Sequence, residues 1–524
     1  MPSRRTFLTH TLPLAALLVA GCRLSGLTPT PPPDAPVTLS GGTLTLSLGE
    51  DFITFHPFLE VNHTAHVSLL FEAPIHITGS GRYEPWLAES WQESDDGLSL
   101  TLTLRSGVRF HNGRDLSADD LVWSLNVARD ADAGHHLSNR FRTVSSVAKL
   151  DDRSVRITYS ERSGDRLDAL AKLTLFPREA ADNIATAPVG TGPFRFVEWI
   201  PGDRVTLDRF PDYWLGELPY LDRVVLRAVP DARARVSALR LRTLDLAYDL
   251  PLGQRGALAA QEGIVVADTP PGPSFYAFIM NTRVPPFDRQ SVRQAFHFAL
   301  DRAEIVATAF GGQATPVTVP LPSTSWAYPA DLADAYPHDP VTAHLLLAQA
   351  GYPAGFRVRM LVRDTTGPFL EQGRVFARQL AEIGVEVELV PAPPNEFWPR
   401  LYDGDFALVS HKTGDVGADP SALFERAGCC RTTNSFFGIE GRSDDWFVEY
   451  AAAIESARRS PDQAERARLY HRALEIWQEQ AWTIPTVWDS RVYAHWDDLH
   501  GVEVDLDGAL RLHAARLTRP TTAA

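Results

Sequence analysis

The sequence predicts an α/β fold on three observations. After Pro273, strand-like and helix-like segments alternate, as they do where helices cover a sheet. Helices in that half stop at glycine, at Gly311-Gly312, Gly351 and Gly384, where a left-handed C-cap residue is expected. The half before Pro273 reads differently, as short alternating strands and loops, so the chain holds more than one unit.

Taken in order, the chain opens on an address. Ser3-Arg4-Arg5-Thr6-Phe7-Leu8 sets paired arginines before apolar residues, and the uncharged run Leu12–Ala20 follows. That run is shorter than the about 20 residues a membrane-spanning helix needs, so residues 1–21 read as a signal peptide. The arginine pair points to the twin-arginine route. Leu18-Val19-Ala20-Gly21-Cys22 resembles a bacterial lipobox, which makes Cys22 a lipidation site. Residues 22–40 carry Pro29, Pro31, Pro32, Pro33 and Pro36, an extended tether that cannot pack a core.

Thr43–Leu48 alternates apolar and polar residues, as does Leu98–Leu104, with a turn at Asp95-Asp96-Gly97 before it. Ser117-Ala118-Asp119-Asp120 starts a helix over 118–128. Val205–Leu207 and Val224–Ala228 are further strands. Beyond Pro273 the spacing predicts strands at 275–280, 357–362, 385–390 and 406–410, and helices over 291–310, 341–350, 370–383, 444–458 and 461–480. Strand character returns over 483–492.

Of 524 residues, 44% are hydrophobic and 22% charged, ordinary for a globular protein. No later stretch is long and apolar enough to span a membrane. Formal charge is −15, and −17 once Arg4 and Arg5 leave with the leader, which argues against nucleic acid and anionic lipid surfaces as partners. Three cysteines occur. Cys429 and Cys430 are adjacent, which leaves a strained vicinal disulfide, free thiols or a soft-metal site open. No G-x-S-x-G elbow, H-E-x-x-H pair or Walker loop is present, so a secreted lipoprotein hydrolase has no motif behind it. Gly190-Thr191-Gly192-Pro193 lacks a lysine and reads as a turn that needs glycine dihedrals.

Three ordered segments resemble the family 5 extracellular solute-binding proteins, which include dipeptide-, oligopeptide- and nickel-binding members. The first runs from Leu87-Ala88-Glu89-Ser90-Trp91 through Leu104-Arg105-Ser106-Gly107-Val108-Arg109-Phe110-His111-Asn112-Gly113. The second is Gly190-Thr191-Gly192-Pro193-Phe194, then Pro211-Asp212-Tyr213-Trp214. The third is Asn281-Thr282-Arg283, Pro286-Phe287-Asp288 and Val292-Arg293-Gln294-Ala295. The resemblance implies a two-lobed periplasmic-binding-protein-like fold of class II type, with an extra subdomain on the first lobe and two crossover strands as hinge. Residues 41–275, completed by 490–524, form the first lobe and residues 276–489 the second. It implies no catalysis and no cofactor. The partners are a solute held between the lobes and a membrane permease with ATPase subunits; the chain is a monomer on the periplasmic or outer side of the cytoplasmic membrane.

In peptide-binding relatives an aspartate in the loop after strand 406–410 receives the ligand's ammonium. Asp415 and Asp419 both fit, with a turn or helix-cap role as the alternative for each. Those relatives often carry a tryptophan before this loop. Here stand His411 and Lys412, so Lys412 either meets an anionic ligand group or is a solvated surface charge. Arg363, just after a strand, is placed to pair with a carboxylate or lies on the surface. Trp398 is a cleft aromatic or a core tryptophan. His56 follows the first strand, and with His63 and His66 it forms a metal or chelate site or three unrelated polar residues. The solute is a peptide or peptide-like compound, with a metal chelate or other non-peptide solute as the alternative.

Overall fold

Alternation sets the first strand: Leu44 and Leu46 of Thr43–Leu48 are fully buried while Thr43 is exposed. The computed structural model describes residues 41–49, 51–59, 64–130, 132, 135, 137–250, 252–269, 274–363, 367–414, 417–426, 439, 442–506 and 508–518. The signal peptide, Cys22, the tether, His63, Asp415, Cys429 and Cys430 lie outside them. Thr43–Leu48 sits inside a seven-stranded sheet ordered Ile264–Asp268, Val492–Trp496, Leu246–Leu250, Thr43–Leu48, Arg223–Ala228, Arg204–Arg209, Phe194–Ile200. It is parallel to both neighbours. A four-stranded antiparallel sheet (Ala88–Glu93, Ser99–Leu104, Ser154–Tyr159, Val144–Lys149) forms the extra subdomain and shares its apolar core with the large sheet.

The second lobe is built on a five-stranded sheet ordered Val385–Ala392, Phe356–Arg363, Leu408–Thr413, Phe275–Met280, Thr483–Trp488. Phe356–Arg363 is parallel to both its neighbours, and Phe275–Met280 is antiparallel to both of its own. Successive residues of Phe275–Met280 serve opposite faces. Ala277 and Ile279 pack with Tyr450, Trp477 and Trp482, while Phe278 and Met280 pack with Met360 and Phe376. Helices thus cover both sides of this sheet.

Three predicted elements are corrected. The helix predicted over 291–310 is two helices, Gln290–Ala299 and Arg302–Ala309, because the Asp301 carboxylate accepts the N–H groups of Ala303 and Glu304 and starts a new one. The strand predicted over 483–492 is two strands in different sheets: Thr483–Trp488 pairs with Phe275–Met280, and Val492–Trp496 pairs with the first-lobe strands. The strand predicted at 406–410 runs instead from Leu408 to Thr413.

Gly190 and Gly192 are required by close approach rather than by dihedrals. A Cβ on Gly190 would lie 2.0 Å from the Leu70 carbonyl oxygen, and one on Gly192 2.5 Å from that of Leu69. Between them Thr191 donates to the buried Glu72 carboxylate at 2.9 Å. Trp86 (2.9 Å), Tyr213 (2.8 Å) and Trp214 (3.0 Å) donate to the same carboxylate. The motifs around residues 86, 191 and 213 are therefore the walls of one polar socket in the first lobe. His111 closes it, accepting the Gly190 N–H through Nδ1 and donating to the Gly192 carbonyl through Nε2.

Candidate functional site

Register brings the ends of several strands to one edge. Phe275 stands opposite both Thr413 and Trp488. The carboxyl ends of Phe356–Arg363, Leu408–Thr413 and Thr483–Trp488 therefore share the edge where the chain enters from and leaves for the first lobe. In α/β sheets that edge is where ligands bind.

At it the structure brings Arg363, Trp398 and His411 together. Arg363 is the last residue of its strand, and its guanidinium lies 5.2 Å from the Phe369 ring centre and 5.4 Å from that of Trp398. The His411 ring centre is 5.1 Å from Phe397 and 5.2 Å from Trp398. Tyr402 extends the aromatic surface, stacked 5.7 Å from Trp398 and half exposed. Trp398 and Tyr402 share one face of the helix Pro394–Tyr402 because they are four residues apart. A cation held over aromatic faces and a flat apolar wall suit a solute with an anionic group and an apolar portion.

Lys412 points to the other side of the same strand and is committed within the protein: its ammonium pairs with Asp489 at 2.8 Å, and Ser274 donates to the same carboxylate oxygen at 3.1 Å. Ser274 and Asp489 flank the two chain passages, so this cluster ties the hinge. Burial pushes the Asp489 carboxyl up, but Lys412 and Arg491 outweigh it and hold it below its ordinary value. Arg491 in turn lies 4.0 Å from Asp249. Asp249 has a φ of 59°, a left-handed conformation uncommon for a residue with a side chain. The line Lys412, Asp489, Arg491, Asp249 alternates in charge from the second lobe to the first. Sequence reasoning missed its last three members; the only signal was that the expected second lobe ends at Asp489.

Asp419 is 4% exposed and already engaged. One oxygen accepts the Ser421 N–H and hydroxyl at the start of Ser421–Arg426, and the other pairs with Arg466 at 2.6 Å. Burial pushes its carboxyl up, with Arg466 pulling against it. Of the three histidines read together, His63 lies outside the described residues, and His66 is in the helix Thr64–Leu70 with no described side chain. His56 stacks instead on His135, ring centres 5.2 Å apart. Burial, then the neighbouring imidazole, lowers the His56 pKa and so disfavours its charged form. Among the described residues no group of three or more His, Cys, Asp or Glu side chains is placed to hold a metal ion.

A family description, "Bacterial extracellular solute-binding proteins, family 5 Middle", matches residues 82–435, which is more than half the chain. The chain belongs to this family. Its relatives include heme-binding protein A of Haemophilus influenzae, 32% identical over 448 residues (78% of this chain, 79% of that one). They also include the glutathione-binding protein GsiB of Escherichia coli, 30% identical over 481 residues (87% and 91%). Among solved structures, the Helicobacter pylori periplasmic binding protein DppA, in complex with the peptide STSA, superposes with a TM-score of 0.79 at 26% identity, over 92% of this chain and 99% of that one. The fold is thus the two-lobed one of periplasmic binding proteins. This solute-binding protein works outside the cytoplasm, capturing a small solute between its lobes and delivering it to the permease and ATPase of an ABC importer.

Proposed function

We propose that the solute is a peptide or peptide-like compound carrying a carboxylate, and that Arg363, Trp398 and His411 receive it. The observation that carries this reading is the Arg363 guanidinium over Phe369 and Trp398 at the edge facing the first lobe. The likeness to a glutathione-binding protein and to a peptide complex supports it. Asp415 takes the solute's ammonium, as in the peptide-binding pattern. Lys412 shapes the site through Asp489, and Asp419 through Arg466, as supports of the loop rather than contacts. Residues 41–275 with 490–524, and residues 276–489, are the two bodies that close. Titration calorimetry with reduced and oxidised glutathione, short peptides, hemin and a nickel–histidine chelate tests this. Heat from glutathione or a peptide, lost in Arg363→Met, is expected; heat from hemin or the chelate alone overturns it.

A metal chelate is the second reading, favoured by the His56–His135 stack. It requires His135→Ala to abolish binding of the nickel–histidine chelate.

For the leader, the reading is export by the twin-arginine route, lipid attachment at Cys22 and a tether over 22–40, with a monomeric body beyond it. Stable anchoring takes more than one acyl chain. Cys22→Ala should therefore move the protein from the membrane to the soluble fraction; unchanged membrane retention contradicts the assignment.

A further inference from the structure

Asp168 belongs to the extra subdomain, on the helix Arg166–Ala171, whose Ala169 and Leu170 pack into the first-lobe core. Its carboxylate reaches the other lobe. Oδ1 accepts the Ala418 N–H at 3.1 Å and Oδ2 accepts the Asp419 N–H at 2.8 Å. The Tyr83 hydroxyl, from its own lobe, donates to Oδ2 at 3.0 Å. Gly417 admits this approach, since a Cβ there would lie 2.6 Å from Asp168 Oδ1. Asp168 is wholly buried by these contacts. Residues 417–419 stand between the strand Leu408–Thr413 and the helix Ser421–Arg426. The same seam is bridged by Arg458 donating to Ser163 at 3.1 Å and by Arg459 pairing with Glu161 at 2.8 Å.

We propose that Asp168 is a positioning residue for solute capture: from across the cleft it grips the backbone N–H groups of Ala418 and Asp419 when the lobes close, and so fixes residues 417–419 of the second lobe against the first. A carboxylate aimed at two successive amides is directional, and the contact exists only when the lobes meet. Because both sides exchange water for each other, it orients this segment at little net cost. The inference rests on lobe closure and not on which solute is bound.

The charged and titratable groups around Asp168 are Asp419 with its Arg466, Tyr83, Arg140 and Lys172. Burial and then the Asp419 charge push the Asp168 carboxyl up to about 7, with Arg140 and Lys172 acting the other way. In an open form it is exposed and titrates near the ordinary carboxylate value of about 3.9. Closing therefore takes up a proton between those limits, and closure strengthens as pH falls through 7. The neutral carboxyl still accepts from both amides.

Hydrogen exchange of the full chain, with no added solute, tests this at peptides covering 417–423. In the wild type their protection should rise about tenfold from pH 8 to pH 6, after correction for intrinsic exchange. Asp168→Ala should lose at least tenfold of that protection, while the amides of Phe275–Met280 stay protected. Asp168→Asn should keep part of the protection and lose its pH dependence. Wild-type protection in Asp168→Ala, or an unchanged pH profile in Asp168→Asn, overturns the proposal. If Asp168→Ala does not fold, the Asp168→Asn profile decides alone.

Discussion

Arg363 ends a strand with its guanidinium over Phe369 and Trp398, while Asp419 and Arg466 form a buried pair. The two sites therefore answer mutation differently. Arg363→Met should weaken binding of a carboxylate-bearing solute by roughly 2–5 kcal/mol, about 30- to several-thousand-fold, by calorimetry. Asp419→Ala strands Arg466, which is 11% exposed, and should cost about 3–5 kcal/mol in urea unfolding. Pairing Asp419→Leu with Arg466→Met should recover much of that loss, because no unpaired charge remains. If Asp419→Ala is as stable as the wild type, the carboxylate has no structural role and returns as a ligand contact.

At the scale of elements, the caps and passages explain what was legible. Ser117 marks a helix start by local chemistry, and the helix Ala118–Ala128 and the strand Phe275–Met280 fall where pattern places them; the caps Asp339 and Asp462 were not read, and the last helix starts at Gln463 rather than at 461. Asp301 was not recognised because helix-forming residues stand on both sides of it, so the break rests on a single carboxylate. Asp301→Ala should destabilise by about 1 kcal/mol in urea unfolding. Arg363, Trp398 and His411 each stood out in the sequence as a separate candidate, but only the fold sets them side by side, from a strand end, a helix and a neighbouring strand. The partner of Lys412 was not foreseen, because Asp489 is 77 residues away and only the sheet register brings them together. Asp168 escaped for the same reason, 251 residues from the Asp419 amide it accepts.

For the whole molecule, buried imidazoles make part of the response of stability to acid. Burial pushes both His111 and His513 down to about 4. An unfolded chain takes up these protons below about 6.5, while the fold refuses them until about 4. The share of stability set by these two imidazoles should therefore fall as pH drops through that window, by up to about 3 kcal/mol per histidine, against the opposite share of the Asp168 carboxyl, whose pKa is raised. Urea unfolding at pH 7 and pH 4.5 measures the fall, and His111→Gln should reduce it. The central claim remains that a small solute sits at the edge where the two lobes meet. Native mass spectrometry of the full chain, isolated from its own cells, tests this most directly. The wild type should carry one stoichiometric small-molecule adduct, and the Arg363→Ala, Trp398→Ala double variant, folded by its thermal midpoint, should carry none. The same adduct at the same occupancy on both proteins would contradict it.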